Sequence, residues 1–372
     1  MHILFIPTWF ETPTHPTSGK AVKDLAYALA RYGHDLTIHI LYQSPDSLPL
    51  TQTLDNQIEL WHSHCDQRGK LYPVWNTYSI RSYNKVFQNY TKKHGVPDLI
   101  HIHSYPSLAI AAYFNKIYGI PFFYTEHSSK VAQDNLNYIE KTLIRKYTIQ
   151  ANGVSAVGHH LAHTLDKIIH RPVQVIPNTL DFDYFYPDKK IHTEDLIMIN
   201  LLNKNKQVDL GIKTYLLWQK HHPHAKLHII GDGPEKEDLT IQINHLSQSD
   251  HILLYGEQHP NEWLHLLQSS ACLMLLSKFE TFGVVAAEAL ACGVPVVALE
   301  NNGINEITNN EEIAILPVTS TEREVLDGIE QVIKKGNVHF INLREKLKSR
   351  LDYPEVASQY LSFYNIDSIK TT

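Results

Sequence analysis

Residues 277–298 have the sequence SKFETFGVVAAEALACGVPVVA, and this stretch determines the fold predicted for the second half of the chain. The apolar run Ala271–Leu276 precedes it and predicts a buried strand. A helix is predicted from Phe282 to Ala291, because Gly293 has the position of the glycine that commonly follows a helix end. The next apolar run, Val294–Leu299, predicts another strand. A strand, a helix and a second strand in this order predict a parallel βαβ unit.

Two glutamates, Glu280 and Glu288, lie on either side of the predicted helix start. A glutamate in an alanine-rich helix is usually exposed to solvent, but the residues around Glu288 are apolar on nearly every side, which is typical of a buried helix. A buried glutamate needs a polar partner. The helix N-terminus attracts a phosphate, and Gly283 has no side chain to block it. Carboxylates beside a bound diphosphate can accept hydrogen bonds from sugar hydroxyls, so the pair indicates a nucleotide-sugar site.

Composition restricts the possible classes of protein. The 372 residues are enough for two domains, and the net charge of −6 argues against nucleic-acid binding. No apolar stretch reaches the roughly 18 residues that a bilayer span needs, and the start of the chain lacks the basic segment of a signal peptide. Cys65, Cys272 and Cys292 show no pairing pattern. We expect a cytoplasmic protein, and the basic residues within 81–93 are either a solvated face or a peripheral contact with the inner face of the membrane.

Strands and helices alternate along the whole chain, which predicts an α/β fold with two doubly wound parallel sheets. In the first half, strands are predicted at His2–Pro7, Leu36–Leu41, Leu99–His103, Phe122–Thr125, Val154–Val157 and Val173–Ile176, with helices at Gly19–Tyr32, Asn76–Lys93 and Ser107–Tyr118. In the second half, further strands are predicted at Leu196–Leu202, Lys226–Ile230 and Ile252–Tyr255, with helices at Val208–His221, Pro234–Leu246 and Glu262–Ser269.

A turn-rich stretch between Pro177 and Pro187, followed by a polar segment, marks the predicted domain boundary. We expect an N-terminal acceptor-binding domain at residues 1–186 and a C-terminal donor-binding domain at 187–352. The segment 353–372 is predicted to form a helix that returns toward the N-terminal domain. Two such domains in tandem are expected to face each other across a cleft.

The chain contains an ordered set of short motifs: Gly19, His101-Ile-His103, Thr125-Glu-His127, Ile176-Pro-Asn178 with Asp181 and Phe185, Lys206 with Asp209, Gly231-Asp-Gly-Pro234, Gly256, Glu280–Glu288, and Gly303 with Glu306. Taken together, these motifs resemble the signature of glycosyltransferase family 4, the retaining transferases of the GT-B fold. The resemblance covers nearly the whole chain, and the ordered set is more specific than any single motif.

The resemblance implies roles for individual residues. Glu280, His127 and Lys206 would be catalytic: Glu280 would hold hydroxyls of the donor sugar, Lys206 would neutralise the leaving phosphate, and His127 would lie beside the anomeric carbon. The donor-binding set would comprise Gly19, Lys206, Glu280, Thr281, Phe282, Gly283 and Glu288. Glu288 would accept hydrogen bonds from the ribose, and Gly19 would let its loop approach the phosphate closely.

The implied activity is transfer of a hexose-type sugar from a nucleoside diphosphate to a hydroxyl acceptor, in the synthesis of a cell-surface glycan or of a glycolipid such as lipopolysaccharide. The expected partners are therefore a nucleotide sugar and a glycan or lipid-linked acceptor, with no cofactor and no metal. One departure concerns the family's arginine position, where this chain has Leu201. Lys204 could substitute from the loop, but its flexible ammonium does not reproduce a bidentate guanidinium.

Several patterns have a metal-site interpretation. Asp181-Phe-Asp183 has the form of an Asp-x-Asp metal motif but lies in a turn-rich linker, so we interpret it as a turn. Three histidine groups, at residues 62–64, 159–163 and 221–224, lack a second half at ligand spacing and are interpreted as surface residues.

Two other functions remain open from the sequence. An epimerase acting on a nucleotide sugar would share the phosphate site but would need acid and base groups around the sugar ring. A non-catalytic partner subunit of the same fold would explain Leu201, whereas the presence of Lys206, Glu280 and Glu288 favours an enzyme. The nucleotide base, the sugar, the acceptor and the linkage are not encoded in any of these motifs.

Overall fold

The computed structural model describes residues 1–12, 15–33, 36–44, 48–54, 58–64, 77–188 and 193–365. It divides into two compact units. The first consists of Met1–Thr179 with the segment that starts at Tyr353, and the second is Leu180–Asp352. The sequence placed the boundary at residue 186. Cys65 lies outside the described residues.

Within the described residues, the first unit contains a sheet of eight strands in the order β3-β4-β2-β1-β5-β6-β7-β8. Neighbouring strands are parallel, except that β3 is antiparallel to β4 at the edge. Strands β1 and β5 are neighbours at the centre of the sheet. The strand order reverses between them, because the chain runs outward from β1 in one direction and from β5 in the other. The strands are β1 (His2–Pro7), β2 (Thr37–Ser44), β3 (Thr51–Leu54), β4 (Ile58–His64), β5 (Leu99–His103), β6 (Phe122–Glu126), β7 (Gly153–Ala156) and β8 (Gln174–Val175).

Helices cover this sheet and complete its core. They are α1 (Lys20–Tyr32), α2 (Thr77–His94), α3 (Leu108–Tyr118), α4 (Ser129–Ala132), α5 (Tyr138–Thr148), α6 (His159–Ile169) and the C-terminal helix, numbered α14 in chain order (Tyr353–Phe363). One cluster of buried side chains joins three elements: Ile3 and Phe5 from β1, Leu29 from α1, and Val356 and Tyr360 from α14. The C-terminal helix therefore belongs to the core of the first unit.

The second unit contains a parallel sheet in the order β11-β10-β9-β12-β13-β14. Counted from β9, this is the order 3-2-1-4-5-6 of a dinucleotide-binding fold, with a reversal between β9 and β12. Its strands are β9 (Leu196–Ile199), β10 (Leu227–Ile230), β11 (Ile252–Gly256), β12 (Cys272–Leu275), β13 (Val296–Leu299) and β14 (Ala314–Leu316). Its helices are α7 (Val208–Trp218), α8 (Lys236–His245), α9 (Pro260–Ser269), α10 (Val284–Ala291), α11 (Asn302–Ile307), α12 (Glu322–Ile333) and α13 (Gly336–Leu351).

The βαβ unit that opened the sequence analysis is present as predicted. Strand β12, helix α10 and strand β13 follow one another, and β12 pairs in parallel with β13. Gly293 has φ +74, and its amide donates to the Leu290 carbonyl at 3.0 Å, so it ends the helix in the way expected of a C′ glycine. The two doubly wound sheets confirm the predicted fold class.

Candidate active site

The candidate site in the second unit is built by the loops that follow β9 and β12. Because these strands are parallel neighbours, their carboxyl ends lie side by side at one edge of the sheet. The connections after β9 and β12 run to opposite halves of the sheet, which opens a crevice outside the strand ends where ligands bind in this class of fold. The two loops comprise residues 200–207 and 276–283.

Hydrogen bonds between these two loops hold them together. The amide of Lys278 donates to the Asn205 carbonyl at 2.8 Å, and Asn205 Nδ2 donates to the Phe279 carbonyl at 2.9 Å. The Gln207 side chain donates to the Leu276 carbonyl at 3.0 Å. Each loop therefore satisfies backbone groups of the other, which fixes their relative position.

Lys206 and Glu280 are in direct contact at this junction. The Lys206 ammonium donates to Glu280 Oε1, and the two side chains are 17% and 15% exposed. Both groups are partly buried at the end of the sheet. The ammonium can bind an anionic group of a ligand, and the carboxylate can accept hydrogen bonds from a ligand's hydroxyls. The sequence analysis assigned separate roles to these residues, and the structure brings them together.

Helix α10 begins directly after this pair. Gly283 is its N-cap and has φ +81, a left-handed conformation that favours glycine. An added Cβ at Gly283 would meet its nearest atom, Ile307 Cδ1, at 3.4 Å, so the backbone conformation and not the space explains the glycine. The first amides of a helix have no partner within the helix and form its positive end. Thr281 is partly buried and Phe282 is buried just before this end.

Glu288 lies inside the same helix and is 2% exposed. Its neighbours Ala286, Ala287, Ala289 and Leu290 are all buried, as the sequence pattern predicted. The negative charge of Glu288 and burial both raise the pKa of the Cys292 thiol, with burial as the larger cause, so this cysteine stays protonated.

The start of α11 and the loop before it pack on the loop that contains Glu280. A Cβ at Gly303 would lie 2.5 Å from Glu280 Cβ and 2.8 Å from its carbonyl oxygen, so only glycine allows this approach. Asn301 joins the same loops, because its Nδ2 donates to the carbonyls of Ser277 at 3.2 Å and Leu299 at 2.9 Å. Gly303 was among the residues predicted from the sequence, whereas Asn301 was missed, because its contact with the Ser277 carbonyl joins residues 24 positions apart.

The loop after β10, which contains Gly231 and Gly233, packs against the loop after β9. Gly231 has φ +140, and a Cβ there would lie 1.8 Å from the Asn200 carbonyl oxygen. Gly233 has φ +155 and approaches Leu202 in the same way. Because this loop packs on residues 200–202, β9 ends at Ile199 and not at Leu202 as predicted. Leu201, in the position of the family arginine, is 56% exposed.

Gly19 and His127 lie in the first unit, each after the carboxyl end of a strand of that sheet. Gly19 has φ +70 and is the N-cap of α1, and an added Cβ would lie 2.4 Å from the Trp9 carbonyl oxygen. The close approach of two backbone segments therefore requires glycine at this position.

His127 follows β6 and is held by polar neighbours. Its Nε2 lies 3.2 Å from His103 Nδ1, and its side chain forms a hydrogen bond with Asn178. Burial lowers the pKa of His127 to about 4, so the imidazole is neutral near pH 7. The buried carboxylate of Glu126 accepts the amides of His127 at 2.8 Å and Ser128 at 2.7 Å, which fixes the loop backbone. In the sequence, Glu126 and His103 were recognised only as parts of motifs, and their contacts with His127 and its loop were not predicted.

The other patterns have structural explanations. Asp181 Oδ1 accepts the amides of Asp183 at 2.9 Å and Tyr184 at 3.0 Å, which confirms that this motif is a turn. The prediction of surface residues is wrong for His62, which is 3% exposed and whose Nε2 lies 3.0 Å from Ser44 Oγ. His160 Nε2 lies 2.9 Å from the Ala132 carbonyl oxygen, and the ring of His222 stacks on that of Trp218 at 3.7 Å. In the parts of the chain that the structure describes, no helix is both long and apolar enough to cross a membrane.

Two tandem doubly wound units, the second with a charged pair and a helix N-terminus at its strand-order reversal, have the architecture of the GT-B fold. Solved structures agree with this fold. Sucrose-phosphate synthase from Thermosynechococcus elongatus aligns with a TM-score of 0.79 at 16% identity, covering 100% of both chains. HepE from Anabaena, in complex with UDP and glucose, aligns with a TM-score of 0.75 at 17% identity, covering 98% of this chain and 99% of that one.

Family comparisons are more specific than the fold. The family model described as Glycosyltransferase Family 4 matches residues 18–184, and the model described as Glycosyl transferases group 1 matches residues 187–351. The chain therefore belongs to the family 4 type of glycosyltransferases. One relative is the N-acetyl-alpha-D-glucosaminyl L-malate synthase of Bacillus anthracis, 28% identical over 285 residues, which are 72% of this chain and 74% of that protein.

Proposed function

We propose that this glycosyltransferase transfers a hexose-type sugar from a nucleoside diphosphate to a hydroxyl acceptor in cell-surface glycan or glycolipid synthesis, with retention of the anomeric configuration. The contact between Lys206 and Glu280 just before α10 carries the proposal, because a cation and a carboxylate lie together beside a helix end suited to phosphate. The UDP and glucose in the HepE complex support a donor of this class.

In the proposed complex, the diphosphate lies at the N-terminus of α10, near the amides of Phe282 and Gly283 and beside Thr281. Glu280 accepts hydrogen bonds from hydroxyls of the sugar, and Glu288 accepts them from the ribose. Gly19 allows the loop after β1 to approach the phosphate. The positive charge comes from Lys206 and the helix dipole, so the proposal requires no metal.

The proposed reaction occurs on one face of the sugar. The acceptor oxygen forms a bond to the anomeric carbon while the bond from that carbon to the phosphate oxygen breaks. The acceptor proton passes to the leaving phosphate, and Lys206 stabilises the charge that develops there. His127, neutral near pH 7, would lie beside the anomeric carbon and offer a hydrogen bond to the sugar.

Variants at the charged pair test this proposal. A thermal-shift screen with UDP, GDP, ADP and their sugars first identifies the donor, because a ligand that binds only the folded protein raises its melting temperature. Glu280→Gln and Lys206→Ala are then expected to lower kcat by about 100-fold or more, as observed when a transition-state donor is lost. Lys213→Ala and Glu330→Gln, at exposed helix positions of the same unit, serve as matched controls.

The melting temperature of each variant separates loss of function from loss of folding. Wild-type turnover in both Glu280→Gln and Lys206→Ala would show that the role assignment is wrong. If no nucleoside diphosphate raises the melting temperature of the wild-type chain, the donor class is wrong and a non-catalytic role is favoured.

A further inference from the structure

A second polar cluster lies at the other end of the first unit's sheet. His39 is near the start of β2, Glu59 is near the start of β4, and His94 is the last residue of α2. His39 and Glu59 are direct partners across the parallel pair of strands. Because Gly19 and His127 follow the carboxyl ends of strands in this sheet, a cluster at the amino ends is separate from the candidate active site.

The three side chains converge in space. One ring nitrogen of each histidine and one carboxylate oxygen of Glu59 lie within 4.8 Å of one another. His94 Nε2 and Glu59 Oε2 are 3.2 Å apart, and the rings of His39 and His94 have centroids 4.4 Å apart. His39 is buried, whereas His94 and Glu59 are partly exposed, so solvent can reach the cluster.

Neighbouring groups hold these side chains in place. His39 Nδ1 lies 3.1 Å from both His2 Nε2 and the hydroxyl of the buried Tyr90, which also contacts His2. Lys93 donates to Glu59 Oε1 at 2.8 Å and leaves Oε2 toward His94. Outer partners of this kind orient the ligands in protein metal sites.

We propose that His39, Glu59 and His94 bind a divalent transition-metal ion of the zinc type. Two imidazole nitrogens and one carboxylate oxygen form a ligand set that zinc uses in proteins. Bond lengths of about 2.0–2.2 Å place the ligand atoms of a tetrahedral site about 3.3 Å apart. The 3.2 Å separation of His94 Nε2 and Glu59 Oε2 already matches this value. Small rotations of these two partly exposed side chains would bring their ligand atoms to the same distance from the ring nitrogen of His39.

A bound ion would join β2, β4 and the end of α2, three segments that are distant in sequence. Its effect would be structural, because binding to the folded state only adds to the stability of that state. The imidazole of His2 lies beside His39, with its Nε2 3.1 Å from His39 Nδ1, and offers a fourth ligand atom next to the proposed site.

The test uses the full chain after treatment with a chelator. Zinc is added, and its affinity and stoichiometry are measured by competition with a chromophoric chelator, while cobalt is added separately to record the visible absorption of a tetrahedral site. We expect one ion per chain and a higher melting temperature. Glu59→Gln and His94→Gln are each expected to weaken binding by about 100-fold or more. The matched controls are Glu330→Gln and His221→Gln, which change exposed residues of the second unit.

Several outcomes would overturn the proposal. They are absence of stoichiometric zinc binding to the wild-type chain, equal affinity in His94→Gln, or loss of affinity in the His221→Gln control. Melting temperatures in the absence of metal show whether each variant folds, and if Glu59→Gln fails to fold, His94→Gln decides alone. The nucleotide screen is independent of this result, because none of the three proposed ligands belongs to the candidate donor site.

Discussion

The position of Glu280 depends on the absence of a side chain at Gly303. In Gly303→Ala the added Cβ would lie 2.5 Å from Glu280 Cβ and 2.8 Å from its carbonyl carbon, so the loop after β12 must move. We expect turnover to fall by roughly 10- to 100-fold, because displacements of about 1 Å at a reacting site have effects of this size. Steady-state kinetics with the donor identified above measure the change.

Gly119→Ala is the matched control for this substitution. Gly119 has φ +70 but nothing lies within 4 Å of an added Cβ, so the change strains the backbone without moving a neighbour. It is expected to cost about 1 kcal/mol of stability and to leave turnover unchanged. Unchanged turnover in Gly303→Ala would mean that the position of Glu280 is not critical.

The sequence identified the charged residues of the site but not the contacts that position them. Glu288 could be singled out as a carboxylate in an apolar helix, Gly283 as a glycine at a helix start, and Glu280 as a carboxylate in the polar loop just before that helix. Asn301 and Glu126 could not, because each binds a backbone group of another loop: the Ser277 carbonyl for Asn301 and the Tyr105 amide for Glu126. Whether Lys206 touches Glu280 depends on the pairing of β9 with β12, which is a property of the folded sheet.

Helix α14 shows how an element distant in sequence stabilises the first unit. Tyr360 is 1% exposed within the cluster that includes Ile3 and Phe5, and its hydroxyl lies 3.3 Å from Thr125 Oγ1. Tyr360→Ala is expected to lower the free energy of unfolding by about 3–5 kcal/mol, the range for removal of a buried aromatic ring. Denaturant unfolding of the full chain measures the loss.

The exposed Ser358 on the same helix provides the comparison. Ser358→Ala is expected to change stability by less than about 0.5 kcal/mol, as surface substitutions usually do. Equal stability of the two variants would show that α14 does not contribute to the cooperative core of this unit.

Strands with continuous apolar runs were predictable, whereas several other elements were missed. β1 and β5 have their predicted bounds, because continuous apolar runs are typical of buried parallel strands. The strands β3, β4 and β14 and the helices α4, α5, α6, α11, α12 and α13 were not predicted. The β3 strand carries a single buried residue, Leu54, so its sequence offers little contrast between an inner and an outer face.

At the scale of the whole molecule, both sheets contain a strand-order reversal, so topology alone does not identify the donor site. In the first unit the reversal lies between β1 and β5, and in the second it lies between β9 and β12. The two reversals differ in the functional side chains that lie beside them. Lys206, Glu280, Gly283 and Glu288 all belong to the second unit. Sequence order could predict two such sheets, because each βαβ unit is local, but only the folded sheet places these residues at one strand edge.

Hydrogen exchange on the full chain can locate the donor site directly. We expect the nucleoside diphosphate from the thermal-shift screen to slow amide exchange in residues 200–207 and 276–285, because phosphate would bind the amides at the start of α10 and the charged pair joins these two loops. Protection at these loops should be weaker in Lys206→Ala at the same nucleotide concentration and unchanged in Lys213→Ala. Protection confined to the loops after β1 and β5 would instead assign the nucleotide to the first unit, and Lys206 and Glu280 would then lose their proposed roles.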